Sequence, residues 1–136
     1  MSTFYRFEEI EAWKLARELT KQVYQVSRGS EFSRDFALRD QIRRSSVSIM
    51  ANIAEGYERG GNAEFLQFLA ISKASCGETR SHLYVALDQA FISPIEFEHL
   101  LRQCIVISGK LQGLMNSLRT SSYKGPKYKP SSPPEP

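Results

Sequence analysis

Only a few side chains in this sequence have the type and spacing that chemistry on a substrate or a metal requires. Glu96 and His99 stand three residues apart, one half of the Glu-x-x-His arrangement with which helical bundles hold a pair of metal ions. The other half is missing. The second histidine, His82, has its nearest upstream glutamate on the same segment at Glu78, four residues away, and no further inward glutamates complete the set. Cys76 and Cys104 lie inside apolar helical patterns, which reads as two buried, reduced thiols rather than a disulfide or a metal pair. Neither histidine has a clear orienting carboxylate, so no nucleophile triad assembles, and Gly60-Gly61 reads as a helix stop rather than a phosphate cradle. The expectation is a protein that is not an enzyme and holds no metal or cofactor.

Two other groups of residues point to contact instead of catalysis. Gln41, Ser45, Ser48, Asn52, Glu55 and Arg59 recur at steps of three and four beside an apolar stripe of Leu38, Ile42, Ile49 and Ile53. A solvated helix face usually carries long charged side chains, so short polar ones indicate that another backbone comes close. That backbone is either the small-residue centre of the third helix or a neighbouring subunit, a reading preferred here to a solvated face or a ligand site. Buried polar groups left without partners cost about 1 to 3 kcal/mol each, so Asn52 and Glu55 are expected to satisfy neighbouring hydroxyls and backbone. The second group is basic: Arg39 and Arg43 one turn apart, Arg44 beside them, and Lys73 with Arg80 on one face of the third helix. These five are candidates for contacting RNA or DNA. The plainer alternative is an exposed helix surface on which Asp40 and Arg44 pair across one turn. Trp13, near Phe4, Tyr5 and Phe7, reads as core or subunit packing because it falls in the first helix's apolar stripe.

Four helices must position these residues. The first spans residues 8–28, with Phe7, Ile10, Trp13, Ala16, Leu19, Val23 and Val26 at helical spacing. The second spans residues 34–59, with Ser33, backed by Asp35, as its expected N-cap and the two glycines as its stop. The third takes Asn62 as N-cap and directs Phe65, Phe68, Leu69, Ser72, Cys76, Thr79, Leu83, Ala86 and Ala90 inward. The fourth opens on the clearest local signal in the chain, Ser93-Pro94-Ile95-Glu96: serine caps, proline suits the first helical position, glutamate returns a bond to the cap, and Ile92 and Phe97 are placed as a staple. It carries Phe97, Leu100, Leu101, Cys104, Ile105, Ser108, Leu111, Met115 and Leu118 inward and ends near Arg119. No segment keeps the period-two alternation of a strand. Short connections between long helices make an all-α, antiparallel up-down-up-down four-helix bundle the simplest topology for residues 1–119. Residues 120–136 turn to Ser, Lys, Tyr and Pro and are expected to be a disordered basic tail, with Tyr123, Lys124, Lys127, Tyr128 and Lys129 interleaved.

Composition limits the partners. With 41% hydrophobic residues among 136, the chain can bury a core of its own. Of the net charge of +3, two units come from the tail, where Lys124, Lys127 and Lys129 face only Glu135. The pI of about 8.9 is therefore weak support for a nucleic-acid surface on the folded part. No run of about 18 apolar residues marks a membrane span, and the N-terminus lacks the layout of a signal peptide, so a soluble cytoplasmic protein is expected.

Phe7 to Trp13, Asp40 to Ile49, Ala51 to Gly56, and Glu64-Phe65 with Phe68-Leu69 carry a resemblance. Together they resemble the bacterial four-helix bundle proteins first described as products of intervening sequences in large-subunit ribosomal RNA genes, over about residues 4–119. Where that family commonly has a small residue followed by Gly-Ser, this chain has Ala74-Ser75-Cys76-Gly77, which keeps the small-residue pattern. The resemblance implies a bundle that assembles as a ring-shaped homopentamer. It also implies a distant kinship to the accessory protein of diversity-generating retroelements, which is thought to bind a reverse transcriptase and nucleic acid. Many members lie outside ribosomal RNA genes, so the name does not imply a ribosomal protein, and the family's role is not established. Two functional classes follow: a non-catalytic oligomeric protein that assembles with itself and presents a surface to a protein partner, or a nucleic-acid-binding accessory factor that uses the five basic residues.

Overall fold

Buried residues recur every three or four positions along four helices, and this period dictates how they pack. The computed structural model describes residues 4–120: α1 is Glu11–Val26, α2 Phe36–Glu58, α3 Asn62–Asp88 and α4 Pro94–Thr120. No strand occurs among the described residues. Each helix packs on its neighbour in the chain and α4 returns to α1. At one end Phe32, from the α1–α2 connection, stacks on Phe91, from the α3–α4 connection, with ring centroids 5.2 Å apart. At the other end the Tyr57 hydroxyl donates to the Phe4 carbonyl, and Asn62 Nδ2 donates to the Leu118 carbonyl at 3.3 Å. The helices therefore alternate in direction, as an all-α four-helix bundle requires. The core between them is aliphatic, with Leu19, Ile42, Ile49, Ile53, Leu69, Leu83, Leu100, Ile107 and Leu111 fully buried, each stabilising the fold by about 1.5 to 3 kcal/mol. The expected tail lies, apart from Thr120, outside the described residues.

The helix ends follow capping chemistry, with several corrections to the sequence-based expectations. Residues Phe7–Glu9 form a separate 3-10 turn and Ile10 is extended, so α1 starts at Glu11. The N-cap of α2 is Asp35, whose carboxylate accepts from the Leu38 N–H at 3.0 Å. Ser33 is not the cap because it sits in a 3-10 turn at Phe32–Arg34 and donates its hydroxyl to the Ser30 carbonyl. At the next junction Gly60 adopts φ 90°, a left-handed conformation in which glycine has no Cβ clash, and ends α2. Gly61, extended, then caps α3, which leaves Asn62 as the first helical residue. The Ser93–Glu96 capping box forms as expected: the Ser93 N–H donates to Glu96 Oε1 at 2.8 Å and the Glu96 N–H to Ser93 Oγ at 3.1 Å.

Two inward assignments fail, one through the phase of the helix and one because the helix has already ended. In α4 the buried series is Phe97, Leu100, Cys104, Ile107, Leu111, Met115 and Leu118, which leaves Ile105 48% exposed. Ala90 is not in the α3 stripe at all. It closes that helix with φ 59°, and the Phe91 N–H donates back to the Ala86 carbonyl while the Ala90 N–H donates to that of Leu87. This is the paired-bond helix ending that glycine usually provides.

Gly56 and Ala90 thus invert the usual helix rule. A Cβ on Gly56 would lie 2.6 Å from Phe68 Cβ and 3.3 Å from Phe65 Cδ1. Gly56→Ala is therefore expected to lower stability by about 1 to 3 kcal/mol through overpacking. Ala90→Gly is expected to raise stability by about 1 kcal/mol by relieving the left-handed alanine. Urea unfolding midpoints of the two variants would check both signs.

Candidate functional site

The short polar residues of α2 meet α3. Thr79 Oγ1 donates to Ser45 Oγ at 2.8 Å and also lies 2.9 Å from the Ser75 carbonyl, while Ser45 Oγ reaches the Ile42 carbonyl at 3.2 Å. One turn further on, the Ser48 and Ser75 hydroxyls are 2.9 Å apart, and Asn52 Nδ2 donates to both the carbonyl and the hydroxyl of Ser48. Between them Ser72 Oγ donates to the Ile49 carbonyl at 2.7 Å. From α1, Thr20 Oγ1 reaches the Ser46 carbonyl at 3.1 Å. The six-residue ladder therefore divides. Ser45, Ser48 and Asn52 join the α2–α3 seam within one chain, whereas Gln41, Glu55 and Arg59 are exposed. Arg59 pairs with Glu55 at 2.8 Å and lies over the Phe68 ring, so Glu55 takes its partner from its own helix and not from a neighbouring hydroxyl. Ser75, Ser46 and Thr20 were not singled out from the sequence. Helical spacing is the signal that could have found them: Ser75 stands three and four residues from Ser72 and Thr79, Ser46 four and three from Ile42 and Ile49, and Thr20 four from Ala16.

The five basic residues do not converge. Arg39 Nε pairs with Asp40 at 3.0 Å and Arg39 Nη1 donates to the Ser33 carbonyl, so the expected Asp40–Arg44 pair does not form. Arg43 Nε donates to the buried Ser27 hydroxyl at 2.7 Å, and its guanidinium lies over the Tyr24 ring, 4.6 Å from the centroid. Arg44 is exposed, without an ion pair or hydrogen bond among the described residues. Lys73 and Arg80 lie beside Cys76, and Arg80 also acts on Cys104 of α4. One group thus sits along the α1–α2 seam and the other along the α3–α4 seam, on the opposite side of the bundle.

The chemistry-bearing residues are structural where the contacts define them. Glu96 is committed to its cap, His99 is exposed, and no group of three or more His, Cys, Asp or Glu among the described residues could hold a metal ion. Burial pushes the Cys76 and Cys104 thiols up to about 12, so both are neutral at physiological pH. Burial lowers the His82 imidazole below its ordinary range, with Glu78 opposing. Trp13 is half-buried, edge-on to Phe7 at 5.3 Å.

Outward, α3 carries a face that the sequence reading did not isolate. Ala70, Ile71, Ala74, Gly77, Ser81 and Val85 are all exposed at three-and-four spacing, with Glu78 the one charge among them. Ile71 and Val85 are each 44% exposed, and nothing lies within 4 Å of where a Gly77 Cβ would be. On α4, Ile105 and Val106 are exposed, followed by Gly109 and Gly113, whose Cβ positions are equally open.

Fold and site together define an all-α four-helix bundle protein whose distinctive residues lie in a polar seam and on its outer helix faces. A family model described as 23S rRNA-intervening sequence protein matches residues 8–113, and the chain belongs to that family. It is similar in fold to the crystal structure of a protein of unknown function from the S23 ribosomal protein family of Bacteroides thetaiotaomicron. The TM-score is 0.70 and the identity 22%, over 76% of this chain and 97% of that one. No curated protein matches this chain. No helix among the described residues is long and apolar enough to cross a membrane.

Because the seam's hydroxyls are buried, replacing one acts on the whole network. Thr79→Val keeps the shape but removes the donor to Ser45, and is expected to cost about 1 to 3 kcal/mol with helix content unchanged. Urea unfolding followed by circular dichroism would check it.

Proposed function

We propose that this chain is a non-catalytic assembly and interaction protein of the cytoplasm, working as a homo-oligomer whose copies meet through the outward face of α3. What carries the reading is that face: Ala70, Ile71, Ala74, Gly77, Ser81 and Val85 are exposed with a single charge, Glu78, among them. An isolated helix surface would gain solubility from long charged side chains there, and small residues instead allow a second backbone close approach. The polar ladder no longer supplies this argument, because Ser45, Ser48 and Asn52 find their partners inside one chain. The exposed Ile105, Val106, Gly109 and Gly113 of α4 offer a second, different patch. Two unlike patches are what a head-to-tail contact needs to close a ring, and the family resemblance supports five copies in that ring.

Sedimentation velocity at micromolar concentration tests this. The wild type is expected near five times the 15.5 kDa of one chain. Gly77→Glu and Ala74→Glu are expected near one chain's mass with unchanged helix content, since the added side chains meet open space within the monomer. A monomeric wild type across that range would remove the reading.

A nucleic-acid accessory role, beside a reverse transcriptase or another nucleic-acid enzyme, is the second reading. It is favoured by Arg44, which no carboxylate among the described residues neutralises, and opposed by the separation of Lys73 and Arg80 from the α2 arginines. It predicts retention on RNA or DNA that falls steeply as salt rises, with a flatter slope in an Arg39→Gln/Arg43→Gln double variant. Salt-insensitive behaviour or no retention would leave the first reading alone.

A further inference from the structure

Between α1 and α2 lies an open hollow of about 580 Å³, lined by Tyr24, Asp40, Arg43, Arg44, Val47 and Ser48. Its charged groups are unequally committed. Asp40 is neutralised by Arg39 at 3.0 Å, and the Ser48 hydroxyl is occupied by Ser75 and Asn52. Arg43 is fixed in place: its guanidinium lies over the Tyr24 ring, and its Nε donates to Ser27, a fully buried serine whose hydroxyl is itself anchored on the Tyr24 carbonyl. Among the described residues neither terminal nitrogen of Arg43 has an acceptor, and Arg44 beside it makes no hydrogen bond or ion pair. Two guanidinium groups that make no ion pair among the described residues therefore face the hollow, while its one carboxylate, Asp40, is paired with Arg39. One of the two guanidinium groups is already immobilised. An arginine held in this way loses little side-chain freedom when it meets a carboxylate, which its planar fork can bind through two parallel hydrogen bonds. The remaining walls are apolar, formed by the Tyr24 ring and by Val47, which is 38% exposed.

We propose that this hollow docks an acidic segment of a protein partner, with a carboxylate on Arg43 and Arg44 and a neighbouring apolar side chain on Tyr24 and Val47. The proposal deepens the interaction-protein reading and rests on it. Nucleic acid is the poorer fit: a phosphate backbone is tracked by a run of cations, whereas only Arg43 and Arg44 line this hollow, Arg39 is committed to Asp40, and Lys73 and Arg80 lie on the opposite seam. The apolar walls have no use for a phosphate but suit a side chain that flanks an aspartate or glutamate.

The test uses the full chain and a fluorescein-labelled eight-residue peptide of alternating glutamate and leucine, followed by fluorescence polarisation at low and moderate salt. Saturable binding is expected, weakened at least fivefold by Arg44→Gln, tenfold by Arg43→Lys, which keeps the charge but loses the fork, and severalfold by Val47→Asp. Arg44 has no partner among the described residues to lose, so its variant tests the site even if an Arg43 variant proves unstable. A glutamine-and-leucine peptide of the same length is expected to bind at least tenfold more weakly. Four results overturn the proposal: no saturation by the acidic peptide, equal binding of the neutral one, indifference to Arg44→Gln, or tighter arginine-dependent binding of an eight-nucleotide oligouridine. Sedimentation of the same samples keeps the two ideas apart, because failure of the assembly reading appears as a monomeric mass and failure of the docking site as lost polarisation at unchanged mass.

Discussion

Two helices that meet through serine and threonine can come closer than two that meet through leucine, but only if each buried hydroxyl finds a partner. The α2–α3 seam meets both conditions. Ser45, Ser48, Ser75 and Thr79 bond one another or a carbonyl one turn back, and Ser72 bonds the Ile49 carbonyl across the seam, so polar groups are removed from water with their hydrogen bonds replaced. The same closeness continues to Gly56, where Phe68 occupies the space that a Cβ would need. Directional bonds also fix register. A leucine seam tolerates sliding at small cost, whereas Ser48 opposite Ser75 and Ser45 opposite Thr79 can be satisfied together at one offset only.

That register sets what the rest of the molecule presents. Once Ser72, Ser75 and Thr79 are turned toward α2, and Cys76 and Leu83 toward the core, the side of α3 carrying Ala70, Ala74, Gly77 and Ser81 must face outward. Likewise, with Ser45 and Ser48 engaged on α3, the arginines at 39 and 43 are carried toward α1, where Ser27 and Tyr24 receive Arg43. The small outward face and the basic hollow are thus consequences of one seam. A variant that shifts that seam by a residue would displace both.

How far this is legible in the sequence depends on how local each signal is. The helices and the Ser93–Glu96 box could be read because spacing and a four-residue motif contain all the information needed. The other caps could not be. Ser33 and Asp35 are both chemically able to cap, and the choice falls to Asp35 because a 3-10 turn occupies Phe32–Arg34. Asn62 lost its capping position to Gly61 through backbone conformation, and its amide is used on Leu118, 56 residues away. Ile105 and Ile107 are equally apolar, and only the phase of α4 against its neighbours buries the second. The polar ladder was visible as a set, but its division into bonded and exposed members depends on what α3 sets opposite each position: hydroxyls at Ser45 and Ser48, the Phe68 ring at Arg59. The basic residues depend on packing in the same way: the cations of α2 and those of α3 fall on opposite seams, so a count of cations along the chain does not make one patch.

Separation of the two faces matters for what an assembly would do. If copies join through α3 and α4, the α1–α2 seam is the side of each bundle farthest from the contact and stays accessible around the ring. One hollow with two guanidinium groups gives weak attachment by itself, since exposed charge pairs contribute little and salt screens them. Several identical hollows on one closed ring convert that weakness into avidity, because after one segment has docked the next meets its site at high effective concentration. Such gain requires a partner with repeated acidic segments, or several partners on one body, whose spacing matches the ring. A partner with a single acidic segment would gain nothing from the ring, so partner valency links the α3 face to the α1–α2 hollow in one function.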